Sequence, residues 1–220
     1  MLVRWAADER QGWRVQEDQA RQDEAGHGGS GHGDAGANVK PGWEGRLFED
    51  FEVGDLYYHP LGKTVTDTDN RWFTLVTQNT ARVHFDENYA RQTEFGRPLV
   101  DSTFTLALVT GQSVIDLSLN VFANLGWDTV RLPAPVFEGD TIYSRSKVLS
   151  TRPSASRPGL GIVRVATEGF NQDGTVVISF ERTFLVYRRG HAPEVVLNRP
   201  DESSLPDAAP QASAGKRTEQ

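Results

Sequence analysis

One helix that is apolar on nearly every side, with three long strands after it, is the feature that most restricts the fold of this chain. Residues 101–119 read DSTFTLALVTGQSVIDLSL. Phe104, Leu106, Leu108, Val109, Val114, Ile115 and Leu117 fall around the whole circumference of a helix, so the helix is expected to be buried, with Asp101 or Ser102 as its cap. Three strand-like stretches come next: 141–152 (TIYSRSKVLSTR), 161–172 (GIVRVATEGFNQ) and 175–189 (TVVISFERTFLVYRR). In the last, Val176, Ile178, Phe180, Phe184 and Val186 alternate with Ser179, Glu181 and Thr183, the period of a strand with one buried face. Strands of about a dozen residues are longer than the usual five or six. Long antiparallel strands and one buried helix imply an α+β fold, a curved sheet wrapped around a central helix.

The segments upstream fit that frame. Residues 56–67 (LYYHPLGKTVTD) read as a strand broken at Pro-Leu-Gly. Thr66 and Asp69 have the spacing of a helix-start capping box, and Trp72, Phe73, Leu75 and Val76 give the helix an apolar face expected to point inward. A second short helix is expected from Asp86, ending at FGRP, and NQDG marks a turn before the last strand. Hydrophobic residues make up 37% of the 220. The deficit lies in the ends: 1–45 and 191–220 read as disordered tails, leaving one domain at 46–190. His27 and His32 in the first tail lack a third ligand and make a poor metal site. A net charge of −7 gives no footprint for nucleic acid. No apolar run has membrane-spanning length, and the start lacks a secretory signal, so a cytoplasmic protein is expected. With no cysteine, disulfides, thiolate metal sites and a cysteine nucleophile are excluded.

The chemistry-bearing stretch is NTARVHFDENYA, 79–90. His84 is a candidate base, because imidazole exchanges protons near neutral pH. Asp86 and Glu87 are an alternative source of a carboxylate, but are expected instead to open the short helix, where negative charge is favoured. His59, at the strand interruption, reads as structural. SRPGLG (156–161) lacks the lysine and spacing of a phosphate loop.

NTARVHFDENYA with GRPLVDSTFTLALV and PVFEGDTIYSRSKV resembles the MaoC-like dehydratase family, and the likeness covers 46–190. DLSLNVFANLGWDTVRLPAPVFEGDTIYSRSKVLSTR is similar, more narrowly, to its β-methylmalyl-CoA dehydratase (mesaconyl-CoA hydratase) branch. The resemblance implies a single hotdog fold and the hydration of trans-2-enoyl thioesters to (R)-3-hydroxyacyl thioesters, or the reverse. It also implies a homodimer or higher homo-oligomer with the active site near the interface. His84 matches the family histidine. Asn79 stands at the position of the family aspartate, Ala81 and Arg82 replace the usual Asn-Pro, and Ser102 replaces a glycine whose N–H faces the thioester oxygen.

Hydration needs a base for the attacking water, a proton for C2 and a stabiliser for the enolate-like oxygen. His84 is expected to shuttle the proton. The first N–H groups of the buried helix, at Asp101 and Ser102, are expected to serve the oxyanion, and serine keeps the N–H that glycine had. Asn79 cannot be a base; it is expected to hold the water, and Asn79→Asp to preserve or raise activity. Arg82 suits a second substrate carboxylate and Arg157 a CoA phosphate, although each also reads as a solvated arginine. No metal or redox cofactor is needed, CoA being the handle of the substrate. Two other readings remain: a hotdog thioesterase using Asp101, and a non-catalytic acyl-thioester-binding subunit.

Overall fold

The computed structural model describes residues 5–8, 12–15, 40, 42–196, 198 and 200. Strands β1 (Trp5–Asp8) and β2 (Gly12–Val15) pair antiparallel as a unit of their own. The rest of the stretches read as tails, His27 and His32 included, lies almost wholly outside the described residues.

The main unit is a six-stranded antiparallel sheet built from β3 (Leu56–Tyr58), β4 (Lys63–Thr64), β5 (Val121–Arg131), β6 (Thr141–Pro153), β7 (Leu160–Phe170) and β8 (Val176–Tyr187). The order is β3-β6-β7-β8-β5, and β4 also pairs β6. β3 and β4 follow one another along the same edge of β6, with His59 to Gly62 as the break between them. Gly62 packs so closely on the Tyr143 ring that a Cβ there would collide with it. The three strands expected after the central helix are β6, β7 and β8. At NQDG, Asn171 Oδ1 accepts the N–H groups of Asp173 and Thr175, and Gly174 takes a positive φ of 78°.

β5 is an edge strand that the hydrophobic pattern did not reveal. Its pairing with β8 slips between Val121 and Ala123, between Asn124 and Gly126, and between Asp128 and Arg131. Each irregularity breaks the two-residue alternation that marks a strand in sequence.

Helix α1 (Asp67–Val76) starts as expected: Thr66 Oγ1 accepts from Asp69 N at 3.2 Å, and Asp69 Oδ2 accepts from Thr66 N at 2.9 Å. Its orientation differs from the expectation. Trp72, Leu75 and Val76 are 67%, 76% and 62% exposed, and the buried residues are Asn70 and Thr74. Of the apolar set only Phe73 turns in, edge-to-face on Phe104 with ring centroids 5.4 Å apart. The short helix α2 (Glu87–Ala90) is capped by Asp86, whose Oδ1 accepts from Tyr89 N at 3.0 Å.

The central helix α3 (Ser102–Gln112) is capped by Asp101 and runs into a wider π-helical turn at Val114–Ser118. It is not enclosed all round. Thr105, Val109 and Gln112 are buried against the sheet, but Ser102, Thr103, Ala107 and Gly111 are exposed. One sheet covers one side of a helix, and the opposite side stays open in a single chain.

The core falls into two apolar clusters. One holds Val109, Ile142, Ile178 and Phe180; the other holds Leu117, Val148, Val165 and Phe184. Between them a polar layer crosses the sheet through Ser144, Ser146, Thr167 and Arg182, all buried. His59 closes this layer, with Nδ1 2.8 Å from Asp116 Oδ2 and Nε2 2.9 Å from Ser146 Oγ. Residues just before 46 also join the body: Trp43 Nε1 donates to Ile115 O at 2.8 Å, and Asn120 Nδ2 to Glu44 O at 2.9 Å.

Candidate functional site

Three segments converge at the start of α3. The 3-10 turn Arg82–His84 carries the histidine, the extended residues 99–101 lead into α3, and α1 packs behind both. Leu99 N donates to Val83 O at 3.0 Å, which joins the first two segments. His84 Nδ1 lies 3.1 Å from Leu99 O. A carbonyl only accepts, so Nδ1 carries the proton and Nε2 keeps its lone pair. That assigns the neutral ring the tautomer of a base.

His84 lines a cavity of about 280 Å³. Its other polar lining is Ser102 and Thr105, and its walls are apolar, built from Phe95, Leu99, Val136, Val177 and the segment 132–135. The N–H of Ser102, the first residue of α3, has no hydrogen-bond partner among the described residues. The Asp101 N–H is taken by Asn70 Oδ1 at 2.9 Å and the Thr103 N–H by Asp101 Oδ1 at 2.7 Å. The cavity therefore joins one free imidazole nitrogen, one free helix-start N–H and an apolar sleeve. A thioester placed there would meet a base and an oxyanion donor.

Asp101 is 2% exposed. Burial pushes its carboxyl upward, but hydrogen bonds from Thr103 and Asn79, with the nearby His84, outweigh it and hold the group below the ordinary carboxylate value. Asn79 Nδ2 donates to Asp101 Oδ2 at 2.6 Å, and Asn79 Oδ1 accepts from Ala81 N at 3.0 Å.

Known proteins are similar to the chain over this body. A family model described as mesaconyl-CoA hydratase matches residues 37–207. The β-methylmalyl-CoA dehydratase of Chloroflexus aurantiacus is 34% identical over 169 residues, 76% of this chain and 46% of that protein. A crystal structure of a MaoC-domain dehydratase from Chloroflexus aurantiacus superposes with a TM-score of 0.66 at 32% identity, covering 78% of this chain and 48% of the other.

The chain belongs to the mesaconyl-CoA hydratase family.

Its fold is the MaoC-like hotdog. A Mycobacterium tuberculosis protein described as a double hotdog superposes with a TM-score of 0.63 at 22% identity, over 78% of this chain and 53% of that one. The chain spans about half the length of the curated relatives it matches.

Against this family frame, the residues singled out in the sequence separate. His84 and Ser102 come together in one cavity. Asn79 does not line that cavity; it borders a separate hollow with Leu75, Gln78 and Phe85. Asp101 lies behind the cavity wall, buried and fully engaged. Arg82 adjoins His84 in the 3-10 turn, but its side chain is exposed and has no polar partner among the described residues. Arg157 is not brought to the cavity. It stacks on Phe122, its Cζ 4.9 Å from the ring centroid, beside the β6–β7 turn, at the opposite end of β8 from Val177.

Sequence reading missed two residues beside this site. Asn70 lies behind His84, and its signal was the polar pair Asn70 and Thr74, one helical turn apart on α1. Arg97 lies between the cavity residues Phe95 and Leu99, its Cζ 3.8 Å from the centroid of the Phe137 ring. In sequence it read only as part of a helix end.

Proposed function

We propose that this chain hydrates enoyl-CoA thioesters, or dehydrates the 3-hydroxyacyl-CoA products, as a hydro-lyase of the MaoC-like type. The observation that carries the reading is the fixed tautomer of His84 in a cavity that also holds the free Ser102 N–H. In the hydration direction Nε2 of His84 takes a proton from water as its oxygen bonds to C3. The electrons of the double bond move onto the thioester oxygen, where the Ser102 N–H stabilises them. The imidazolium then returns the proton to C2, so one proton leaves water and one arrives at carbon.

Family membership favours a branched C4–C5 dicarboxylic acyl-CoA such as mesaconyl-CoA. The thioesterase reading loses its support, because the Asp101 carboxylate is buried and engaged behind the cavity. The half-length match and the open side of α3 support a second hotdog unit, which we take to be another copy of the chain.

The test is the ultraviolet absorbance of mesaconyl-CoA and of crotonyl-CoA with purified protein, with a thiol reagent in a parallel well. Loss of the enoyl band without thiol release is expected, faster with mesaconyl-CoA. His84→Ala should lower turnover by about two to four orders of magnitude. Thiol release, or an unchanged rate in His84→Ala, would overturn the assignment.

A further inference from the structure

We propose that Asn70 is a positioning residue for His84, an inference that rests on the reading of His84 as the base. Asn70 is 4% exposed and projects from α1 into the junction of the three site segments. Its Nδ2 donates to His84 O at 2.8 Å and to Leu99 O at 2.8 Å. Its Oδ1 accepts from Asp101 N at 2.9 Å. Both amide hydrogens are used, each on a different segment, and the acceptor serves a third contact.

Those contacts bear on the chemistry in two ways. The Leu99 oxygen is the one that receives His84 Nδ1. Asn70 and His84 occupy this carbonyl together, so Asn70 fixes the acceptor that sets the imidazole tautomer. It also grips the backbone of His84 itself, which limits where the ring can swing. On its other side it takes the N–H of Asp101, the residue that caps α3, and so sets the start of α3 in register with the imidazole. One side chain thereby spaces the base from the oxyanion donor. A hydrophobic side chain of similar size would fill the space but would strand the His84 carbonyl and the Asp101 N–H and leave the Leu99 carbonyl to His84 alone.

Asn70→Ala removes all three bonds, and Asn70→Asp keeps the size and the acceptor but loses both donors. The experiment is a long-range proton–nitrogen NMR spectrum of the imidazoles in the ¹⁵N-labelled full chain at pH 8, with His84 assigned by comparison with His84→Ala. The wild-type ring is expected to carry its proton on Nδ1. In Asn70→Ala the two tautomers should mix, and kcat should fall about 10- to 100-fold with KM changed little, as a small misplacement of a catalytic group would do. Asn70→Asp should behave like Asn70→Ala. Should Asn70→Ala fail to fold, Asn70→Ser keeps a single donor and is expected to give the same change in smaller measure. A wild-type ring protonated on Nε2 would overturn the proposal, as would a folded Asn70 variant with the wild-type His84 spectrum and rate. If the wild type hydrates no enoyl thioester, the functional reading fails while the spectrum still decides the role of Asn70.

Discussion

Asn79 donates from Nδ2 to Asp101 Oδ2 at 2.6 Å, and Asp101 is among the most buried polar residues of the domain. Two carboxylates at that separation cannot both be ionised, so the pair needs an amide on one side. The amide at 79 therefore answers the carboxylate at 101, and the expectation that Asn79→Asp preserves activity gives way. Asn79→Asp should create a pair sharing one proton, with one of its two titrations raised. Above that titration the pair repels, so the variant should be about 1–3 kcal/mol less stable than wild type at pH 8. The deficit should shrink as pH falls and the shared proton returns. The wild type behaves in the opposite sense: Asp101 is depressed below its ordinary value of 3.8, so its contribution is complete above that pH and lost as pH falls through the folded value. Urea melts across pH 5–8 test this, and the double variant Asn79→Asp/Asp101→Asn should regain stability at pH 8. Equal stability of Asn79→Asp and wild type at pH 8 would refute it. A second prediction concerns substrate charge. Arg82 and Arg97 are the arginines placed next to His84 and to the cavity wall. If the acyl group carries a second carboxylate, Arg97→Ala should reduce the preference for mesaconyl-CoA over crotonyl-CoA about tenfold or more, because Arg97 lies in the chain between the cavity residues Phe95 and Leu99. Arg82→Ala should change it less, and the reverse ranking would return the role to Arg82.

Elements with regular periodicity were legible, and those without it were not. β8 pairs in unbroken register with β7 from Leu160 to Gly169, and α1 carries its capping box, so both stand where the pattern put them. β5 was missed because its register slips three times along eleven residues. The inward face of α1 was misassigned because hydrophobicity was taken as the mark of burial, whereas buried Asn70 satisfies backbone groups of the site and buried Thr74 donates to the Arg71 carbonyl of its own helix. His84 and Ser102 were singled out through the family resemblance, but the Asn79–Asp101 bond was not legible, since it joins residues 22 apart in the chain. His59, read as structural, ties the break between β3 and β4 to the π-helical turn through Asp116. Burial lowers its proton affinity, Asp116 raises it, and the nearby Arg182 and Arg46 lower it, with a net fall below the ordinary value of 6.5. The unfolded chain then takes up the proton first. Stability from this group is complete above about pH 6.5 and declines as pH drops below it. Urea melts of wild type should weaken between pH 6.5 and 5. His59→Gln should be about 1–3 kcal/mol less stable at pH 8 yet show a flatter decline, since the titrating group is gone. An equal slope in both proteins would assign the acid sensitivity elsewhere.

A single hotdog leaves two parts of itself uncovered. Among the described residues β5 ends the sheet with one unpaired edge, and Leu125 and Trp127 on it are exposed; α3 shows its outer side. The chain spans about half the length of the curated relatives it matches, and the double hotdog of Mycobacterium tuberculosis shows that two such units combine in one molecule. An open edge with exposed apolar residues favours pairing with another strand. The edge also bears on the cavity, because Leu132 and the wall 132–135 follow directly from the end of β5 at Arg131. Pairing at β5 would therefore hold the strand that leads into the cavity wall. The full chain should sediment at twice its own mass. Leu125→Glu/Trp127→Glu, charges placed on that strand and away from His84, should sediment as a single chain with an unchanged far-ultraviolet circular dichroism spectrum. Its enoyl-CoA turnover should fall together with the dimer, and the wild type should lose specific activity on dilution through the same transition. A wild type that is monomeric and fully active at every concentration would show that one hotdog completes the site alone.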